Sequence, residues 1–321
     1  MTGFVEQLQR SVGDSLTIER ELGGGAMSHV FLARERTLGR AVVVKVLPPA
    51  LASAINIERF RREVQLLARL QHTHIVSVLA TGDANDMLFY TMPFVEGESL
   101  RHRLRRGGAL SSGETIVILR DVLGALAYAH KRGVVHRDIK PENILLSEGG
   151  ALLADFGIAK AMSDAGMPAP TRITHGGVMV GTPAYSAPEQ AAADPNVDAR
   201  ADLYSVGAVA YEMLTGAPMF ADRAPHLQMA AHATEVPMPI DARRSDVPPR
   251  LAELVMQMLA KDPADRPASA EAILHVLDGI ATAEGRIRPS AMVRTTRLRW
   301  AMLAGVFGFL WSTLRRGRRG F

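Results

Sequence analysis

Apolar and polar positions along this chain keep two periods, and the period changes where the element type should change. Leu16 to Leu22 and Val30 to Ala33 are strand-like runs on either side of Gly23-Gly24-Gly25, a strand–loop–strand pattern. Ala41-Val42-Val43-Val44-Lys45-Val46-Leu47 is rich in β-branched residues and predicts another strand. From Ile57 to Gln71 the apolar residues Phe60, Val64, Leu67 and Leu70 recur at intervals of three and four, which predicts an amphipathic helix. Leu88 to Met92 reads as a strand that runs into Pro93-Phe94-Val95. Met162 to Gly177, rich in Ala, Pro, Gly, Ser and Thr, has no period and predicts a loop. The last helix is expected to end near Ile280, and Trp300 to Leu314 is largely apolar.

Chemistry concentrates in one stretch. His136-Arg137-Asp138-Ile139-Lys140-Pro141-Glu142-Asn143 is followed twelve residues later by Asp155-Phe156-Gly157. Two short strands and a tight turn between them would bring Asp138, Asn143 and Asp155 to one cleft. That set suits phosphoryl transfer: Asp138 as base or orienting group for an incoming hydroxyl, Asn143 and Asp155 as metal ligands. A lone HxD or DFG arises by chance, whereas eight specified positions in a row do not. Upstream, Glu21-Leu22-Gly23-Gly24-Gly25-Ala26-Met27-Ser28-His29-Val30 matches a phosphate-covering glycine loop with Ser28 at the third glycine's place. Gly23 and Gly25 would let backbone approach phosphates without a Cβ in the way. Lysine occurs only at 45, 131, 140, 160 and 261, so Lys45 and Lys140 on motif positions indicate a need for a compact ammonium. Lys45 is expected on the α- and β-phosphates, paired with Glu63 of the following helix or, failing that, Glu58.

These motifs resemble those of bacterial serine/threonine protein kinases of the eukaryotic-like, Hanks type, from about Leu16 to about Ile280. Gly181-Thr182-Pro183-Ala184-Tyr185-Ser186-Ala187-Pro188-Glu189 is similar to the family's segment ending in APE. Ala201-Asp202-Leu203-Tyr204-Ser205-Val206-Gly207 resembles its DxxxxG helix, and Asp262 to Pro267 its closing DPxxRP. The resemblance implies an α+β bilobal fold: a small β-rich lobe with one helix (about 16–94) and a larger, mainly helical lobe (about 95–280). It also implies ATP between the lobes with Mg²⁺, or Mn²⁺ in its place. Glu189 and Arg266 would form a buried ion pair, and Asp202 would brace the catalytic loop. Adenine would lie among Leu22, Val30, Val43 and the hinge, with Met92 as gatekeeper. Pro93 would offer only its carbonyl and Val95 its N–H. Lys140 would contact the γ-phosphate and the acceptor hydroxyl, implying Ser/Thr specificity, and Thr182 would bond to Asp138. Phosphate on Thr174, or on Thr171, would recruit Arg137 and order the loop, with self-association for autophosphorylation in trans.

Composition refines the frame. The 321 residues allow two lobes and a short extra segment, and residues 1–15 read as a leader without a signal-peptide core. No cysteine occurs, which fits a reducing cytoplasm and leaves the metal to arrive with ATP. The formal net charge is +4, yet residues 286–321 hold nine arginines and no acid, so the rest of the chain carries −5. That asymmetry points away from nucleic acid and toward an anionic membrane surface. The expected organisation is a basic linker at 281–299, a hydrophobic segment at 300–314 and a basic tail at 315–321. The fifteen residues of the hydrophobic segment make a helix of about 22 Å, short of the ~30 Å hydrocarbon core. Spanning, lying in the inner-membrane interface with Trp anchors, and packing on protein all remain open for it. A protein kinase acting on protein substrates is the leading function. A pseudokinase scaffold would need Lys45, Asp138 or Asp155 to be missing, and a small-molecule phosphotransferase would generally lack the APE segment.

Overall fold

The computed structural model describes residues 2–25, 28–47, 56–84, 87–156 and 183–283. Five strands form the antiparallel sheet of the small lobe: β1 (Leu16–Gly25), β2 (Ser28–Glu35), β3 (Ala41–Val46), β4 (Ala80–Ala84) and β5 (Met87–Pro93), in spatial order β1-β2-β3-β5-β4. Strand periodicity divides its faces. Phe31, Ala33, Val42, Val44, Val46, Met87 and Phe89 point to one side and share a core cluster. Val30, Val43, Lys45, Tyr90 and Met92 therefore take the other side. Register aligns them, with Val30 opposite Lys45, Lys45 opposite Tyr90 and Val43 opposite Met92.

The outer face is covered from an unexpected source. The leader forms helix α1 (Thr2–Val12), whose Leu8 and Val12 are buried in the outer-face cluster with Leu16. Gln9 ties it to the sheet edge. Its Nε2 donates to Leu16 O at 2.8 Å and its Oε1 accepts from Ile18 N at 2.9 Å. The small lobe thus has two helices among the described residues. The second, α2, spans Ile57–Leu67, shorter than the apolar period suggested. Leu70 stays buried because the chain turns tightly there, with Leu70 N bonded to Leu67 O at 3.0 Å.

The large lobe is helical. After a two-residue strand β6 (Glu98–Ser99) come α3 (Leu100–Gly107) and α4 (Ser112–His130). A reciprocal cap between Ser111 and Glu114 starts α4. Strands β7 (Ile144–Ser147) and β8 (Gly150–Leu153) then pair as a hairpin. Helices α5 (Pro188–Ala191), α6 (Ala199–Thr215), α7 (Pro225–Thr234), α8 (Ile240–Arg243), α9 (Pro249–Met258) and α10 (Ala270–Ala283) follow. Helix α6 is buried all round from Ala201 to Leu214, which makes it the lobe's central post. Gly207 permits close packing there, since a Cβ on it would lie 2.8 Å from Met258 Cβ. This small β-rich lobe and helical lobe are the α+β bilobal arrangement expected from the motifs.

Candidate active site

The β7–β8 hairpin builds the site's floor. Its register pairs Ile144 with Leu153, so the residues flanking the hairpin, Asn143 and Ala154, sit side by side, and Ala154 N donates to Asn143 O at 2.8 Å. Asn143 turns back on the loop before it, its Nδ2 donating to Asp138 O at 2.8 Å and to Asp138 Oδ2 at 3.0 Å. Lys140 Nζ donates to both Asp138 carboxylate oxygens, at 3.0 and 2.8 Å. Burial alone would lower the Lys140 pKa, but the Asp138 carboxylate beside it raises it. The pair is therefore a charged one.

Beneath the loop lies Asp202, only 1% exposed. Its Oδ2 accepts from His136 N and its Oδ1 from Arg137 N, each at 2.8 Å, and His130 Nε2 meets Oδ2 at the same distance. His136 Nε2 is bonded to Ala154 O at 2.9 Å, and its ring meets Phe156 edge-on at 4.6 Å between centroids. Arg137 holds φ at 68°, in the left-handed region that non-glycine residues rarely adopt. Asp202 supplies the buried anchor for that turn. Glu189 and Arg266 form the expected bidentate pair, at 2.6 and 2.8 Å, with Arg266 fully buried.

Asp155 is the junction between the lobes. Its Oδ2 accepts from Lys45 Nζ at 2.6 Å and its Oδ1 from the Tyr90 hydroxyl at 2.8 Å. Burial would raise the Asp155 pKa, but the Lys45 ammonium and these two hydrogen bonds hold it below the usual carboxylate value. The expected Lys45–Glu63 pair is not formed, and Glu58 does not replace it: Glu58 lies near Arg61 instead. Glu63 lines a cavity of about 400 Å³ with Leu66, Leu67, Leu70, Arg132 and Val134. The Asp155 carboxylate is only 12% exposed and, largely taken out of water, needs a cation, which Lys45 supplies.

A family profile for the protein kinase domain matches residues 16–277. This chain belongs to the protein kinase family. Over 299 residues it is 38% identical to serine/threonine-protein kinase PknB of Mycolicibacterium smegmatis, covering 91% of this chain and 47% of that protein. Over 284 residues it is 38% identical to serine/threonine-protein kinase pkn3 of Myxococcus xanthus, covering 86% and 51%. The chain thus spans about half the length of the curated relatives it matches. The crystal structure of the Mycobacterium tuberculosis PknI kinase domain superposes with a TM-score of 0.66 at 33% identity, covering 84% of this chain and 96% of that one.

In this kinase domain the inner sheet face and the hairpin enclose the expected nucleotide cleft. Gly23, Gly24 and Gly25 end β1 opposite Val30, His29 and Ser28, with Leu22 in the register shift just before them, so these glycines continue the sheet. A Cβ on Gly24 would crowd Ser28 O at 3.2 Å. Val43 and Met92 are buried side by side, Pro93 is exposed at the strand's end and Val95 is half-buried just beyond it. The donor set of Asp155 and Asn143, one carboxylate and one amide oxygen, fits Mg²⁺. That ion keeps waters and shares phosphate oxygens rather than needing an all-protein cage. Among the described residues no cluster of three His or acidic residues competes for a metal.

Arg137 donates Nη2 to Val197 O at 3.2 Å, and its buried Nε has no hydrogen-bond partner among the described residues. Thr171, Thr174 and Thr182 lie outside the described residues, as does the whole stretch from 284 to 321 with its apolar segment. Two contributors were not expected. Tyr90 looked like one more apolar residue of a buried strand. Arg101 of α3 joins Glu142 (2.7 Å) to Glu212 of α6 (2.6 Å) and also bonds to the Tyr185 hydroxyl. Only the arginine's place, just after the hinge, could have hinted at that link.

Proposed function

We propose that this chain is an ATP-dependent serine/threonine protein kinase that transfers the γ-phosphoryl group to protein hydroxyls. The observation that carries this reading is the Asp138–Lys140–Asn143 cluster, set on a loop whose backbone is bound to buried Asp202. In the reaction the hydroxyl oxygen bonds to the γ-phosphorus, the bond from that phosphorus to the β–γ bridging oxygen breaks, and the hydroxyl proton passes to the Asp138 carboxylate. Lys140 lies on that carboxylate and supplies positive charge where negative charge builds on the phosphoryl oxygens. Lys45, on the inner sheet face, binds the phosphates, with Glu63 as its partner when it leaves Asp155. Asp155 and Asn143 would hold Mg²⁺, which neutralises phosphate charge. A pseudokinase role is disfavoured because Lys45, Asp138 and Asp155 are all present and placed at one cleft.

The test is direct. The full chain with γ-labelled ATP, Mg²⁺ and a serine- and threonine-rich acceptor protein should yield phosphoserine or phosphothreonine, and the Asp138→Asn chain should yield almost none. Label on tyrosine, or no label with the wild-type chain, would overturn the assignment.

Two finer readings join it. Phosphate on Thr174, or on Thr171, would recruit Arg137, whose unpartnered Nε supports the idea. Thr174→Ala and Arg137→Ala should then slow transfer to the same extent, and the double variant no further. The arginine-flanked segment 300–314 would bring the chain to an anionic membrane surface. No helix of the described residues is long and apolar enough to cross a membrane. Full-length protein should pellet with anionic vesicles at low salt, and a chain ending at Glu284 should stay in solution.

A further inference from the structure

Tyr90 stands in the middle of β5, opposite Lys45 in register and 2% exposed. Its neighbours on this face, Leu88 and Met92, are apolar, and phenylalanine would fill the same space. Its hydroxyl instead reaches Asp155 Oδ1 at 2.8 Å while Lys45 Nζ takes Oδ2 at 2.6 Å. The two oxygens of one carboxylate are thus divided between paired residues of adjacent strands. Asp155 has φ at 60°, a strained value for a residue with a Cβ, so its direction depends on these contacts.

The two partners differ in what they can do. Lys45 ends in an ammonium on a flexible four-carbon stem and can swing to a phosphate. The phenol of Tyr90 sits at the end of a rigid, packed ring and cannot follow. Its hydroxyl donates a hydrogen to Asp155 Oδ1 and brings no charge of its own to the carboxylate. A neutral donor on Oδ1 leaves the carboxylate its charge and the second oxygen free to change partners. We propose that Tyr90 is a positioning residue: its hydroxyl holds Asp155 Oδ1 throughout, so that Oδ2 alone passes from Lys45 to the nucleotide's Mg²⁺. This rests on the assignment of Asp155 as a metal ligand.

Calorimetric binding of ADP to the full chain, with and without Mg²⁺, separates the roles. Wild type should bind ADP more tightly with Mg²⁺. Tyr90→Phe should cut that Mg²⁺-dependent gain about tenfold, the scale of one charge-assisted hydrogen bond, and leave metal-free ADP affinity within about twofold. Thr91→Val, which removes a buried hydroxyl from the next position of the strand, should change neither value and controls for general damage to β5. In the Asp155→Asn background, Tyr90→Phe should add nothing, because it acts only through that carboxylate. An undiminished Mg²⁺ gain in Tyr90→Phe would overturn the proposal, and so would a parallel loss of metal-free and metal-bound affinity. Should wild type itself gain nothing from Mg²⁺, the metal assignment of Asp155 would fall and the proposal with it.

Discussion

The loop that carries Asp138 is fixed through its backbone, whereas the elements that carry Lys45 and Glu63 meet the site only through side-chain tips. On the large-lobe side, two consecutive amides donate to buried Asp202, and Asn143 closes the loop onto Asp138. None of these contacts can change without leaving a buried polar group unpaired. On the small-lobe side, Lys45 and Tyr90 divide Asp155 between them, and Glu63 looks into a cavity. Here Lys45 can exchange partners by rotating its side chain, or α2 can shift, while Tyr90 stays packed in place. The difference separates what this kinase domain presets, the position of the proposed proton acceptor Asp138, from what it leaves adjustable, the side chains proposed to grip phosphates and metal.

The strongest way to break this contrast is at Asp138. Asp138→Asn should slow single-turnover phosphoryl transfer by roughly 10²- to 10⁴-fold and leave Mg·ADP binding nearly unchanged, as rapid-quench kinetics and calorimetry would show. Next comes its support. Asp202→Ala leaves the His136 and Arg137 amides and His130 without their shared acceptor, and urea unfolding should show a loss of about 3–5 kcal/mol. A loss under 1 kcal/mol would mean the loop is held by something else.

Acid should loosen the large lobe in its own way. His232 is fully buried against the Tyr204 hydroxyl, Lys261 Nζ donates to its carbonyl, the Phe220 ring packs on it and Arg266 lies over Tyr204. Burial, and then the Lys261 charge, lower its pKa to about 4. The unfolded chain, with an ordinary histidine near 6.5, takes up the proton first. This stabilisation is complete above pH 6.5 and is lost as pH falls toward 4, by at most about 3 kcal/mol. Urea midpoints of wild type should therefore drop more steeply between pH 6.5 and 5 than those of His232→Gln. Equal slopes would assign the acid sensitivity to other groups.

The smallest effect belongs to Glu63. Because Lys45 already has a partner in Asp155, Glu63→Gln should leave the melting temperature unchanged. Its transfer rate should fall, by less than in Asp138→Asn, if Glu63 receives Lys45 during turnover. A large loss of stability would show that a Lys45–Glu63 pair, not the observed Lys45–Asp155 pair, holds the resting domain.

Most of the large-lobe half was legible in the sequence, because its chemistry is packed into short spacings. His136 to Asn143 and Asp155 are joined by a hairpin that the sequence spacing already implies, and the Glu189–Arg266 and Asp202 contacts follow from matching motifs. The small-lobe half was less legible. Which acid Lys45 meets depends on where α2 comes to rest, a tertiary property that its period of three and four cannot encode. Tyr90 was hidden because a phenol in a buried strand has the pattern of a core aromatic. Helix α1 was missed because it is short and mostly polar. Leu8 and Val12 acquire meaning only once the sheet's outer face needs cover.

Amide hydrogen exchange with and without Mg·ADP tests the contrast most directly. The His136 and Arg137 amides, bonded to Asp202, should exchange slowly in both conditions, while residues 57–67 of α2 should gain protection when nucleotide draws Lys45 from Asp155 toward Glu63. If nucleotide instead protected 136–143 and left 57–67 unchanged, the preset half and the adjustable half would have been assigned the wrong way round.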